Sequence, residues 1–168
     1  AGVQAPRAHG VGRFFDGAAA LILDRRVARY EAELAMALEA IAGDGEAAAF
    51  PWSIDADSSP WGIDLRASVR TLAERKLAGD PPGLLAARWH ATICEAGAEV
   101  VRLARKRFGS LPIVGTGGCF QNVRLAAGLR AALDGRLLLH REIPPGDGGI
   151  ALGQVVVAAA SIGSRSVR

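Results

Sequence analysis

Two glycine-rich runs, Gly115-Thr-Gly-Gly-Cys-Phe-Gln-Asn122 and Pro144-Pro-Gly-Asp-Gly-Gly-Ile150, do most to limit what this chain can fold into. Each lies between a short apolar segment and a stretch with helical apolar spacing. Leu111-Pro-Ile-Val114 reads as a buried strand and Val123 to Leu133 as a helix; Arg136 to His140 reads as a second strand and Gly149 to Ser161 as a small-residue helix of high apolar content. The chain therefore carries two strand-turn-helix units, the grammar of an α/β fold.

At such a turn, glycines adopt positive φ and let backbone N–H groups approach an anion with no Cβ in the way, while the helix N-terminus adds a partial positive charge. The first run is not a P-loop, because no Lys-Ser or Lys-Thr pair follows. It also fails the dinucleotide fingerprint, because Gly-x-Gly is not completed three positions on. Two readings stay open: a phosphate cradle, or a tight turn in which Asn122 caps the helix. Asp147 in the second run is equally double-valued. It sits where an N-cap belongs, yet three neighbouring glycines leave its carboxylate room, and Mg²⁺ is commonly held by one or two carboxylates plus substrate phosphate oxygens.

The rest of the chain reads as helix-rich with a small sheet. Helices are predicted at 10–24, 29–42, 65–78, 83–108, 120–133 and 149–162, and short strands near 51–54, 61–64, 111–115 and 136–140. Gly43-Asp-Gly45 ends the second helix, Ala56-Asp-Ser-Ser-Pro60 joins the first two strands as a hairpin, and Asp80-Pro-Pro-Gly83 separates two helices. At 168 residues, half of them hydrophobic, the chain is long enough for one domain with a substantial core. No apolar run is as long as a membrane span and no signal-peptide pattern opens the sequence, so a cytoplasmic protein with no membrane contact is expected. Two cysteines make no disulfide framework.

The formal excess of +3 with a pI near 9.4 is a weak pointer to nucleic acid. Arg102, Arg105, Lys106 and Arg107 close a long predicted helix, where cations suit the helix dipole, and no aromatic interleaving accompanies them; no nucleic-acid binding is expected. Gly12 and Asp16 lie one helical turn apart, so a backbone approach and a carboxylate can share a face, although Asp16 reads equally well as a surface residue. His90, in an amphipathic helix, reads as a satisfied structural histidine rather than a ligand. His140 ends a strand and carries little weight alone.

Six ordered motifs resemble those of the HypF family of hydrogenase maturation carbamoyltransferases. Gly117-Gly-Cys-Phe-Gln-Asn122 and Pro144-Pro-Gly-Asp-Gly-Gly-Ile-Ala-Leu-Gly-Gln154 look like its carboxy-terminal motifs. Gly12-Arg-Phe-Phe-Asp-Gly-Ala-Ala-Ala20 resembles the family's Gly-Arg-Leu-Phe-Asp-Ala-Val-Ala-Ala, and Tyr30-Glu31 with Ala35 resembles Tyr-Glu-Gly-Gln-Ala-Ala. Trp61-Gly-Ile-Asp-Leu-Arg66 and Pro81-Pro-Gly-Leu-Leu-Ala-Ala-Arg-Trp-His90 also sit in family order. His9 stands where the family usually has a small hydroxyl residue, and Ala32 where it usually has glycine.

The resemblance implies the second lobe of a threonylcarbamoyl-synthase-like domain, related to the actin, sugar kinase and Hsp70 ATPases, with nucleotide and metal held in a cleft between two lobes. The first lobe, acylphosphatase-like, zinc-finger and YrdC-like upstream domains would be partners outside this chain. It further implies an enzyme that takes carbamoyl phosphate and ATP to a carbamoyl-adenylate and passes the carbamoyl group to the carboxy-terminal cysteine of HypE. In that scheme Gly12, Asp16, Glu31, Gly117, Gly118 and Asn122 would contact the nucleotide, and Asp147 would help hold a divalent metal, of the Mg or Fe type, shared with the missing lobe. No covalent catalytic residue is implied. A related O-carbamoyltransferase, a tRNA threonylcarbamoyl enzyme segment and a non-catalytic interaction module are the alternatives; the Pro-Pro-Gly-Asp-Gly-Gly form favours HypF.

Overall fold

Phe15, Ala18, Ala19 and Ile22 recur at helical spacing, and they form the buried face of the first helix, α1 (Val11–Leu23). The computed structural model describes residues 9–43, 45 and 47–165, in which α1 is followed by α2 (Glu33–Ile41), a hairpin β1 (Ser53–Asp55) and β2 (Gly62–Asp64), and α3 (Arg66–Leu77). Then come the long α4 (Pro82–Phe108), β3 (Ile113–Val114), α5 (Val123–Ala132), β4 (Leu137–Leu138) and α6 (Ile150–Arg165). Helix α4 is the spine. Leu85, Ala86, Trp89, His90 and Ile93 are buried along it because α1, α2, α3 and α5 all pack around its first half and middle. Burial on more than one face is what a helix in the centre of such a bundle requires.

The predicted helices and strands are all present, most with shorter ends, although α4 starts one residue earlier, β1 ends one residue later and α6 runs on to Arg165. Helix α2 begins at Glu33 rather than at residue 29. The carboxylate of Glu33 turns back to accept the N–H of Arg29 at 2.6 Å and the Arg29 guanidinium at 2.7 Å, and Ala32 enters the helix in the left-handed region at φ 62°. Helix α5 begins at Val123 rather than 120, because residues 118–121 form a separate 3₁₀ turn.

The strands form two ladders. The predicted hairpin is observed, with Ser53 opposite Asp64 and Asp55 opposite Gly62. β3 and β4 pair in parallel, with Ile113 opposite Leu137 and Val114 opposite Leu138, so β3, α5 and β4 form a crossover unit. The expectation of a buried first strand is corrected here: Leu137 faces the core, but Val114 and Leu138 on the other face are 62% and 57% exposed. Helix α6 is largely apolar and packs chiefly on the turn before it, leaving Val155, Val156 and Val157 exposed. Among the described residues no helix is long and apolar enough to cross a membrane.

Candidate functional site

The two glycine turns lie against each other. Gly117, held at φ 97°, donates its N–H to the carbonyl of Pro145 at 2.8 Å. Gly146 closes on the first turn so tightly that a Cβ there would stand 3.0 Å from Nε2 of Gln121 and 3.5 Å from Cα of Gly118. Backbone can come this near backbone only where side chains are missing.

Between these turns and the start of the chain is a cavity of about 610 Å³. Gly12 and Phe15 of α1 form one side, and Glu31, Met36 and Glu39 around α2 form the next. Gly118 and Asn122 of the first turn and Asp147 of the second complete it. Five of the residues singled out in the sequence, Gly12, Glu31, Gly118, Asn122 and Asp147, thus share one wall although they are spread over most of the chain. Two do not line it. Asp16 is turned to Arg13, 3.6 Å away, and Phe15 takes the place on the helix face that its carboxylate was expected to fill. Gly117 stands behind the wall, tying the turns together. Phe15 and Gln121, which lie inside the quoted motifs, and Met36 and Glu39, which nothing local in the sequence marks, were not singled out as site residues.

Of the two readings of the first run, the capped turn is the one observed, and the donors at the α5 N-terminus are already filled from within the protein. Asn122 caps the helix, its Oδ1 accepting the N–H of Leu125 at 2.7 Å. Glu39, reaching across from α2, accepts the N–H groups of Val123 at 2.6 Å and Arg124 at 3.3 Å. The helix therefore offers no spare donor to a phosphate. Asp147 also departs from its bland reading: it makes no capping bond, it is exposed, and among the described residues its carboxylate has no hydrogen-bond or ion-pair partner.

The cavity is lined by three carboxylates, of Glu31, Glu39 and Asp147, and by no lysine or arginine. A polyphosphate in such surroundings meets net repulsion unless a cation intervenes. The uncommitted Asp147 carboxylate fits that need, since Mg²⁺ takes one or two carboxylates and completes its shell with phosphate oxygens and water. Among the described residues no three His, Cys, Asp or Glu side chains gather as a metal-binding group.

The thiols are poor nucleophile candidates. Burial pushes Cys94 up to about 11 and raises Cys119 as well, which keeps both protonated near neutral pH. His140 lies outside the cavity, with Nε2 against Oγ1 of Thr116 at 3.1 Å. His90 is fully buried, its ring edge-on to Phe15 at 4.9 Å, with both nitrogens bonded. A larger groove of about 1080 Å³ on the far side of Glu39 is walled mostly by alanine and glycine. Its arginine, Arg124, is spent on the carbonyls of Gly43 and Gly45. Size alone does not make it the better site.

Residues 1–154 match the family described as carbamoyltransferase, Kae1-like domain, second subdomain. The chain is 37% identical over 166 residues to carbamoyltransferase HypF of Rhodobacter capsulatus, a match that covers 97% of this chain and 21% of the relative. It is 37% identical over 157 residues to carbamoyltransferase HypF of Rhizobium leguminosarum bv. viciae, covering 91% and 20%. Full-length HypF, solved in a phosphate- and nucleotide-bound form, superposes with a TM-score of 0.81 at 32% identity, over 88% of this chain and 20% of that one. The chain thus spans about a fifth of the length of these relatives.

Proposed function

The chain belongs to the HypF family of carbamoyltransferases, as a carboxy-terminal part with the Kae1-like fold, and on that premise we propose that it forms one wall of an ATP-dependent carbamoyl-transfer site. The observation that carries this reading is the convergence of Gly12, Glu31, Gly118, Asn122 and Asp147 on one cavity. Its volume is in the range of small-molecule sites, which run to several hundred Å³.

In this reading water releases phosphate from carbamoyl phosphate, and the carbamate oxygen bonds the α-phosphorus of ATP as pyrophosphate leaves; the resulting carbamoyl-adenylate rests its adenosine end along Gly12, Glu31 and Asn122 while its phosphate lies by Gly118 and Asp147. A thiolate, the carboxy-terminal cysteine of HypE, then attacks the carbamoyl carbon. The new C–S bond forms as the C–O bond to the adenylate phosphate breaks, and AMP leaves with the electron pair on its phosphate oxygen. Asp147 would hold a divalent metal, which when bound would neutralise phosphate charge against the acidic wall. No side chain of this wall is asked to form a covalent intermediate, consistent with the raised proton affinity of its thiol, Cys119.

A first lobe, related to those of actin-like and Hsp70-like ATPases, would close the cavity. It would also cover the apolar surface that this chain leaves bare on α6 and on the outer face of β3 and β4. Burial of Val114, Leu138 and Val155 to Val157 would stabilise such a union at roughly 25 cal/mol per Å² of apolar area. Half a cleft excludes no water and completes no metal shell, so the isolated chain is expected to fold without transferring carbamoyl groups.

Asp147→Asn in a complete two-lobed enzyme tests the assignment. Because Asp147 caps nothing, denaturant melts should shift by less than about 0.5 kcal/mol, while carbamoyl transfer to HypE collapses. Near-normal transfer at saturating ATP and Mg²⁺ would reject the metal role. A response that is purely a loss of folded protein would return Asp147 to a structural one.

A further inference from the structure

The side chain of Asn122 faces two partners at once. Its Oδ1 accepts the N–H of Leu125 at 2.7 Å, so its Nδ2 is the atom turned toward Nε2 of His90, 3.0 Å away. An amide N–H can only donate, so Nε2 must accept. The other imidazole nitrogen, Nδ1, stands 2.8 Å from the carbonyl oxygen of Ala86, one turn back on α4, and a carbonyl oxygen can only accept. Nδ1 therefore carries the proton. Backbone carbonyl, imidazole, amide and helix N–H form one chain of four groups in which every donor and acceptor is assigned without conflict.

We propose that His90 is a positioning residue, whose neutral, Nδ1-protonated imidazole fixes the orientation of Asn122 and with it both the start of α5 and the cavity wall. The inference rests on the proposed nucleotide reading for its consequence, since Asn122 is the member of the chain that reaches the cavity; the hydrogen-bond chain itself does not. His90 lies outside that cavity and lines only the alanine-walled groove behind it. It acts through Asn122.

The arrangement holds in one protonation state. An imidazolium has N–H on both nitrogens, and Nε2 would then face the Asn122 amide donor to donor. Turning the amide over to satisfy His90 would set its NH₂ against the N–H of Leu125. No rotamer of Asn122 satisfies both neighbours of a charged His90. The groups bearing on the ring are Glu39 on α2 and Arg124 on α5, with Cys94 one turn along α4 and the uncharged Phe15 ring from α1. Burial, more than any of these charges, depresses the proton affinity of His90. Because the folded protein holds this proton less tightly than the unfolded chain, whose histidines titrate near 6.5, the contribution of His90 is whole above about pH 6.5 and is lost as the pH falls below that through the depressed folded value.

Hydrogen exchange of the Leu125 amide in this chain tests the proposal, comparing wild type with His90→Gln and His90→Leu. Gln carries a carbonyl oxygen that the Asn122 amide reaches; Leu carries no acceptor. In His90→Leu the protection of Leu125 should fall about tenfold, the worth of one hydrogen bond, while Leu129, deeper in the same helix, keeps its protection and His90→Gln recovers most of the loss. Unchanged protection of Leu125 in a folded His90→Leu protein overturns the proposal, as does an equal loss along the whole of α5. Should His90→Leu not fold, the wild type decides alone. Leu125 protection, corrected for intrinsic exchange, must fall in step with protonation of the His90 ring followed by its nitrogen resonances, and protection that stays flat through that titration overturns the proposal. ATP titrated into a complete enzyme with the same substitutions separates the two readings. Binding should weaken about tenfold in His90→Leu and return in His90→Gln; no binding even to wild type removes the nucleotide reading, and the exchange data still uphold or overturn the role of His90.

Discussion

The carboxylate of Glu39 accepts the backbone N–H of Val123 at 2.6 Å, across 84 positions of sequence, and so caps a helix to which it does not belong. The same oxygen takes the N–H of Arg124 at 3.3 Å. Together with Asn122 it satisfies the donors that a helix start leaves open, and it pins α2 to α5 at the corner shared by the cavity and the larger groove.

Glu39→Ala should therefore cost about 1–2 kcal/mol, the scale of a lost cap or of a charge-assisted hydrogen bond. Glu39→Gln, which keeps one acceptor oxygen, should cost less than half of that. Urea unfolding of the two variants measures the difference. Equal midpoints for wild type and Glu39→Ala would mean that water replaces the carboxylate without loss.

Ala32 leads into α2 at φ 62°, a conformation that places its Cβ against the following carbonyl and that glycine adopts freely. The family motif usually has glycine here. Ala32→Gly should stabilise the fold by about 0.5–1 kcal/mol, the relief of left-handed strain less the extra freedom that glycine gives the unfolded chain. A thermal transition at or below that of wild type would contradict the strain.

Gly115 and Gly118, in one turn, should answer differently to alanine. A Cβ on Gly115 would meet the Phe120 ring at 2.5 Å and Cδ2 of Leu139 at 2.9 Å. Gly115→Ala should destabilise by about 1–3 kcal/mol through overpacking. A Cβ on Gly118 meets nothing within 4 Å and would stand at the cavity. Gly118→Ala should leave stability within about 0.5 kcal/mol of wild type while weakening ATP binding by a complete enzyme. Melts and ATP titrations of both variants would show the dissociation, and equal stability losses would refute it.

The sequence by itself determined what depends on near neighbours. Helical spacing placed all six helices to within a few residues, the polar run before Trp61 placed the hairpin, and Asn122 was legible as a cap because its partner, Leu125, lies three residues on. The ordered motifs identified the family, since each is a local string. The misplaced details are those that local rules do not reach. Residues 29–32 have helical composition, yet the buried Glu33 carboxylate draws the Arg29 N–H and guanidinium into a turn, and that competition is settled by burial against the core. Asp147 looked like a cap, but its backbone enters a 3₁₀ turn that leaves the side chain unbonded. Asp16 and Phe15 are adjacent, and only the packing of α1 on α2 and α4 decided which of them meets the cavity. Tertiary structure alone brought Gly12 and Glu31 to the two glycine turns, carried Glu39 to the start of α5, and set the His90 ring behind Asn122. Periodicity and turn chemistry act over a few residues, whereas these contacts exist because α4 gathers helices from both ends of the sequence around one core.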